Sequence, residues 1–365
     1  MIMTAVSRQQ IETALQQYQD PYLGRDLVSS GCVKAIETDA GQVGIDIVLG
    51  FPAVGYVEEL KATLEPLVTA VAGVTGVTFN IGFEIIAHAV QRGVKPLKNI
   101  RNIIAVASGK GGVGKSTTSV NLALALAVEG ASVGLLDADI YGPSQQRMLG
   151  SSERPKSQDG RSMEPVMAHG IQSMSIGYLI DEDTPMIWRG PMVTQALEQL
   201  LRDTQWQDMD YLVVDLPPGT GDTQLTLSQK IPVSGAVIVT TPQDIALLDA
   251  RKALKMFEKV SVPVLGVVEN MSTHICSQCG HEEPIFGSGG GAKMAADYGI
   301  DLLGALPLDI DIRTGADSGN PTVVSAPDSS AARSYRDIAR KVAAHLSAQA
   351  RDYSARFPEI VIENN

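Results

Sequence analysis

Cysteine is scarce in this sequence: three residues in 365 are too few for a disulfide framework in a chain of this size. Aromatic residues are scarce too, with two Trp and six Phe, so the core must come from Val, Ile, Leu and Ala, which suit a buried parallel sheet. Positive charge is not in excess. A net charge of −12 opposes nonspecific attraction to nucleic-acid phosphates or anionic lipid, so neither is expected as a partner. No apolar run reaches about 18 residues, and Met1 to Gln10 hold no apolar core of leader length. A soluble, cytoplasmic protein is expected.

At about 100 to 200 residues per domain, the length implies two. Residues 1–90 read as a small α+β unit: a polar helix from Ser7 to Gln19, strands at Cys32 to Glu37 and Gln42 to Leu49 joined by an Asp39-Ala40-Gly41 turn, a helix from Val57 to Ala72 with Gly73 as its C-cap, and a strand from Val77 to Ile86. Residues 91–100, with the basic stretch Gln91 to Lys98, read as a linker. From 101 to 365, short apolar runs alternate with helical segments: Ile103 to Ala107, Ser132 to Leu136, Tyr211 to Val214, Ala236 to Val239, Val264 to Val268 and Leu302 to Leu306. This alternation predicts a doubly wound, mostly parallel α/β sheet with its active site at the strands' carboxyl ends. The irregular stretch from Tyr141 to Ile187 is too long for a plain connection and predicts short extra strands or a mobile segment. Ala331 to Gln349 predicts a helix covering the sheet.

The run Gly109-Lys110-Gly111-Gly112-Val113-Gly114-Lys115-Ser116 fits the phosphate-loop pattern G-x-x-x-x-G-K-S and follows a strand. Its glycines free backbone amides to surround a β-phosphate, and the following helix, opening with Thr117 in its first turn, adds its positive end. Lys115 is positioned to hold β and γ oxygens and Ser116 to bind magnesium. Lys110 adds a cation for the transition state. Two acidic strand ends complete the site. Asp215, at the end of Val213-Val214-Asp215, is placed to hold magnesium through water. Of Asp137 and Asp139, the latter is the better candidate for orienting the attacking water. Gly219 offers an unobstructed backbone amide to the γ-phosphate.

A second feature is Cys276-Ser277-Gln278-Cys279-Gly280, a C-x-x-C in a polar loop. One chain supplies two thiolates where a tetrahedral zinc or a 4Fe–4S cluster wants four, which a symmetric dimer would provide. Spacing alone leaves zinc, iron–sulfur and redox chemistry open, with zinc favoured by the adjacent His274 and His281, although both histidines read better as polar loop residues. Cys32, in an apolar run, reads as a core residue.

Taken with the phosphate loop, the segments Asp139-Ile140-Tyr141-Gly142-Pro143-Ser144, Trp188-Arg189-Gly190-Pro191-Met192, Asp215-Leu216-Pro217-Pro218-Gly219-Thr220-Gly221-Asp222 and Glu269-Asn270-Met271-Ser272 closely resemble the Mrp/ApbC family of iron–sulfur cluster carrier ATPases. The likeness spans nearly the whole chain, and the first ninety residues look like the SufT-like domain fused to bacterial members. The resemblance implies ATP and magnesium sandwiched at a homodimer, with Lys110 reaching the partner's phosphates, Asn270 near the adenine, Asp139 in switch I and Asp215 in switch II. It also implies a labile 4Fe–4S cluster between two Cys276/Cys279 pairs, with cluster scaffolds and apo iron–sulfur proteins as partners. Two other readings share the loop. A Min/Par-type positioning ATPase with a structural zinc clasp would need a basic amphipathic tail, but Glu359 to Asn365 is acidic and polar. An electron-transfer ATPase like the nitrogenase iron protein would have widely separated cluster cysteines.

Overall fold

The computed structural model describes residues 6–180, 190–276 and 278–352. Its first unit is a three-stranded sheet backed by helices. Helix α1 (Arg8–Leu15) opens on Ser7, whose hydroxyl accepts from the Gln10 amide while the Gln10 side chain returns to the Ser7 amide, a capping box. The helix stops short of the expected Gln19. The following residues instead turn around Asp20, whose carboxylate accepts from the amides of Tyr22 and Leu23. Strands β1 (Val33–Asp39) and β2 (Gln42–Leu49) pair antiparallel around the expected turn, with Ala40 and Gly41 both at positive φ.

Helix α2 (Val57–Thr69) then crosses over to β3 (Gly76–Phe83), which pairs parallel with β2. Gly73 is not the cap of α2. Ala70 closes the helix, and Gly73, at φ 93, belongs to the turn beyond, where its carbonyl presses against Gly41. Strand β3 ends at Phe83 rather than Ile86 because its partner β2 ends at Leu49, directly opposite.

The second unit is an eight-stranded sheet. Its strands are β4 (Ile100–Ala107), β5 (Val133–Asp137), β6 (Val166–Ala168), β7 (Ile171–Ser175), β8 (Met209–Asp215), β9 (Gly235–Thr240), β10 (Val264–Glu269) and, after the two-stranded hairpin β11 (His274–Ile275) with β12 (Glu282–Glu283), β13 (Leu302–Ala305). The spatial order is β13-β10-β9-β4-β8-β5-β7-β6, parallel throughout except for β6. The hairpin β6–β7 is the extra structure expected between Tyr141 and Ile187.

Alternation along the strands sorts the core onto two faces. Ile104, Val106, Leu135, Val213 and Val237 face one side, and Ile103, Ala105, Leu136, Leu212 and Val214 the other. Helices α3 (Lys115–Val128), α4 (Gln145–Met148), α5 (Gly190–Asp203), α6 (Asp222–Lys230), α7 (Asp244–Lys259), α8 (Gly290–Tyr298), α9 (Ile310–Asp317), α10 (Thr322–Ser325) and α11 (Ser330–Ser347) surround the sheet. The expected covering helix is α11, packed on α3, β10 and β13.

The core around α3 and α11 runs without a break into the first unit, through Leu49, Phe51, Ala53 and Tyr56. At this seam Glu129, fully buried at the end of α3, pairs with Arg340 of α11 at 2.6 Å and accepts from the Gly55 amide at 3.0 Å. The Arg340 guanidinium lies over the rings of Tyr22 and Tyr56 and donates to the Tyr22 hydroxyl. Gln91, at the start of the segment read as a linker, is also buried: its side chain donates to the Ser228 and Ile231 carbonyls and accepts from the Val233 amide.

Candidate functional site

Strand β4 is flanked by β8 and β9, and its carboxyl end leads into the glycine loop. Two glycines of this loop are at positive φ, Gly112 at 80° and Gly114 at 82°, a region that L side chains rarely adopt. Gly109 is required for another reason. A Cβ there would lie 2.1 Å from the Asp249 carbonyl carbon, inside the backbone of α7. Gly114 likewise abuts the Asn270 side chain, which donates to the Val113 carbonyl at 2.9 Å. Asn270 therefore braces the loop from beneath, and Val113 is buried beside it. Gly111 is exposed, and Lys110 is half-buried, its carbonyl accepting from the Ser108 hydroxyl. Ser116 and Thr117 fill the first turn of α3, which begins directly after the loop.

The acidic residues converge because of strand register. Asp137 of β5 pairs with Asp215 of β8, side by side at the strands' ends. Lys115, 5% exposed, spans from the loop to Asp215 Oδ1 at 2.7 Å and lies 4.0 Å from Asp139 Oδ2. Asp215 also accepts from Ser119 Oγ at 2.8 Å and from Gln145 Nε2 at 2.9 Å. Burial, and then the neighbouring Asp215 charge, push the Asp137 carboxyl above its usual range. Against them stand hydrogen bonds to Asp137 from the amides of Asp139, Ser144 and Gln145 and from the Ser175 hydroxyl. Asp137 thus anchors the loop that carries Asp139. Burial also raises the Asp139 pKa, opposed by Lys115. The Gly219 amide donates to the Ser108 carbonyl at 3.0 Å, which holds this segment against the phosphate loop.

The thiols stand on the β11–β12 hairpin. The Cys276 amide donates to the His281 carbonyl at 2.9 Å and the Gly280 amide to the Cys276 carbonyl at 2.8 Å, bending the chain into a tight knuckle with Gly280 at φ 70. Ser277 lies outside the described residues. Cys279 is exposed and Cys276 partly so. Hydrogen bonds from the Gln278 and Cys279 amides, and then from the Cys279 thiol, lower the Cys276 pKa. His274 Nδ1 is hydrogen-bonded to the Leu308 carbonyl. No group of three or more His, Cys, Asp or Glu is placed to hold a metal among the described residues, so within one chain the described side chains supply two thiols and no full ligand set. Cys32 is in the core, as expected, with its thiol pKa raised by burial. Trp188 and Arg189 lie outside the described residues.

Sequence reasoning missed Gln145, Ser119 and Ser175. Ser119 lies four residues after Lys115, so helical spacing places it on the same face. Gln145 and Ser175 come from segments without periodicity.

A glycine loop at the carboxyl end of a central parallel strand, feeding a helix N-terminus and facing a neighbouring strand-end aspartate, is the architecture of P-loop nucleoside triphosphatases, and this protein is one. Residues 99–343 match the family described as NUBPL iron-transfer P-loop NTPase, and residues 8–79 match the family described as iron-sulfur cluster assembly protein. The chain belongs to the former family. It is 50% identical over 345 residues to the iron-sulfur cluster carrier protein of Haemophilus influenzae, covering 94% of this chain and 93% of that one. It is 53% identical over 254 residues to the mouse iron-sulfur cluster transfer protein NUBPL, covering 69% and 80% of the two chains. Among solved structures, a nucleotide-binding protein from Archaeoglobus fulgidus in complex with ADP matches with a TM-score of 0.54 at 38% identity, covering 61% of this chain and 88% of that one.

Proposed function

We propose that this protein is an ATP-dependent carrier that holds a labile 4Fe–4S cluster between the Cys276/Cys279 pairs of two copies and passes it to apoproteins. The observation that carries the reading is the hairpin itself. It presents two accessible thiols, one with a lowered pKa, and no third ligand of the described chain lies near them. A four-thiolate cluster needs a second copy to complete its ligands. The names of the relatives above support the same cargo.

The thiols lie close in sequence to Asn270, a residue that touches the nucleotide loop. Asn270, which braces Val113, is followed by Met271 in the left-handed region at φ 58. Thr273 then accepts from the Leu308 amide, and the hairpin begins at His274. A rearrangement of the loop around a γ-phosphate would therefore reach Cys276 through six residues, a short route for nucleotide state to alter exposure of the cluster. Lys115 and Lys110 would neutralise phosphate charge, with Asp139 orienting the attacking water.

Ser116 and Asp215 would hold magnesium. The fit is supported by a buried, unpaired side-chain acceptor, Gln145 Oε1, on the amide that contacts both of these residues. Magnesium, when bound, would screen the phosphates. Residues 1–90 would form an accessory unit seated on α3 and α11, and residues 101–365 the ATPase.

Anaerobic incubation of the cluster-loaded protein with an apo-ferredoxin tests the reading. Transfer of the cluster's absorbance to the acceptor, abolished in Cys276→Ser, is expected. A cluster that forms but never leaves would overturn the carrier assignment.

A further inference from the structure

Gln145 stands at the junction of every polar element of the phosphate site. Its backbone amide donates to Asp137 Oδ2 at 3.0 Å. Its side-chain nitrogen donates both to Asp215 Oδ2 at 2.9 Å and to the Ser116 carbonyl at 3.1 Å. The residue is 1% exposed, and its Oε1 is a buried acceptor without any hydrogen-bond partner.

The orientation of this amide is fixed by chemistry. Both partners of Nε2 are pure acceptors, so exchanging the amide's oxygen and nitrogen would set oxygen against a carboxylate and a carbonyl. Leaving a buried carbonyl oxygen unpaired is destabilising. A leucine or methionine could fill the volume without that cost, but could not hold Asp215.

The geometry points to Gln145 as a positioning residue of the magnesium site, accepting a hydrogen bond from a magnesium-bound water through Oε1 while holding the Asp215 carboxylate through Nε2. It rests on the magnesium-dependent nucleotide chemistry proposed above. Magnesium keeps several waters in its shell, and each needs an acceptor. Asp215 already accepts from Lys115, Ser119 and Gln145, so an additional acceptor beside it would serve such a water. Gln145 thereby ties the metal to the start of α4, and through Asp137 to the loop carrying Asp139.

Calorimetric titration of ADP into the full chain, in EDTA and in saturating Mg2+, isolates this role. Wild type should bind ADP more tightly with Mg2+. Gln145→Met should lose about tenfold of that magnesium-dependent gain, the effect of one hydrogen bond to a charged group, over and above any change in its affinity in EDTA. Gln145→Glu keeps an acceptor, gives up the Nε2 donor to Asp215 and adds a negative charge that the cation attracts. It should keep the magnesium gain, melt earlier in EDTA and recover its melting temperature in Mg2+.

A Gln145→Met protein with the wild-type magnesium gain would overturn the proposal, as would an affinity loss of equal size in EDTA and in Mg2+, which marks a purely structural role. If Gln145→Met does not fold, Gln145→Glu decides: a lost magnesium gain overturns the role. Wild-type ADP binding indifferent to Mg2+ would instead overturn the magnesium reading on which it rests.

Discussion

Removing the Arg340 guanidinium should destabilise the protein more than any surface charge deletion would. Glu129 is fully buried, and its side chain has two partners, Arg340 Nη2 at 2.6 Å and the Gly55 amide at 3.0 Å. In Arg340→Leu the carboxylate keeps only the amide. Breaking one side of a buried ion pair costs about 3–5 kcal/mol, because the remaining charge stays out of water. Loss of the Tyr22 and Tyr56 ring contacts, with guanidinium-to-centroid distances of 5.8 and 5.6 Å, adds about 0.5–1 kcal/mol. The desolvation cost disappears when both charges go, so Glu129→Leu/Arg340→Leu should lie within about 1 kcal/mol of wild type. Urea denaturation followed by circular dichroism compares wild type with both variants. A loss below about 1 kcal/mol in Arg340→Leu alone would refute the reasoning, since it would mean that Glu129 reaches water.

Three further outcomes follow from single side chains. Gly109→Ala drives a Cβ into the Asp249 backbone, so the loop must move off α7. Such overpacking costs about 1–3 kcal/mol, and fluorescent-ADP titration should show affinity down by at least about tenfold. His88 is buried, its Nδ1 held by Asn102 Oδ1 and its Nε2 unpaired. Burial lowers its pKa, so its contribution to stability is complete above the ordinary value of about 6.5 and is lost as pH falls through the depressed folded value. The melting temperature should drop on acidification below about pH 6.5, and less steeply in His88→Gln; equal slopes would exclude His88 as the cause. Cys276, with its lowered pKa, should react with iodoacetamide at neutral pH well before Cys32, whose thiol is buried and shifted upward. Peptide mapping of the alkylated protein gives the order, and a faster Cys32 would contradict the placement.

The parts of this molecule legible in the sequence are those governed by local pattern. The glycine loop, the alternation of apolar strands with helices, the Asp39-Ala40-Gly41 turn and the buried Cys32 all follow from neighbouring residues, and each stands where pattern put it. The features that escaped depend on partners distant in the chain. Gln145 and Asp215 are 70 positions apart and Glu129 and Arg340 are 211 apart, and neither pair leaves a local signature. Strand β3 ends where its partner ends, a boundary no property of β3 itself announces. Gly73 misled because a glycine just past a helix has the composition of a C-cap, while here the turn toward Gly41 requires it.

Iron and sulfide analysis after anaerobic reconstitution tests the central claim most directly, with wild type and Cys276→Ala/Cys279→Ala compared at known oligomeric state. About four irons and four sulfides per pair of chains, absent from the double variant, are expected for a 4Fe–4S cluster bridged by two hairpins. Zinc without sulfide in wild type, or unchanged iron in the double variant, would contradict the account.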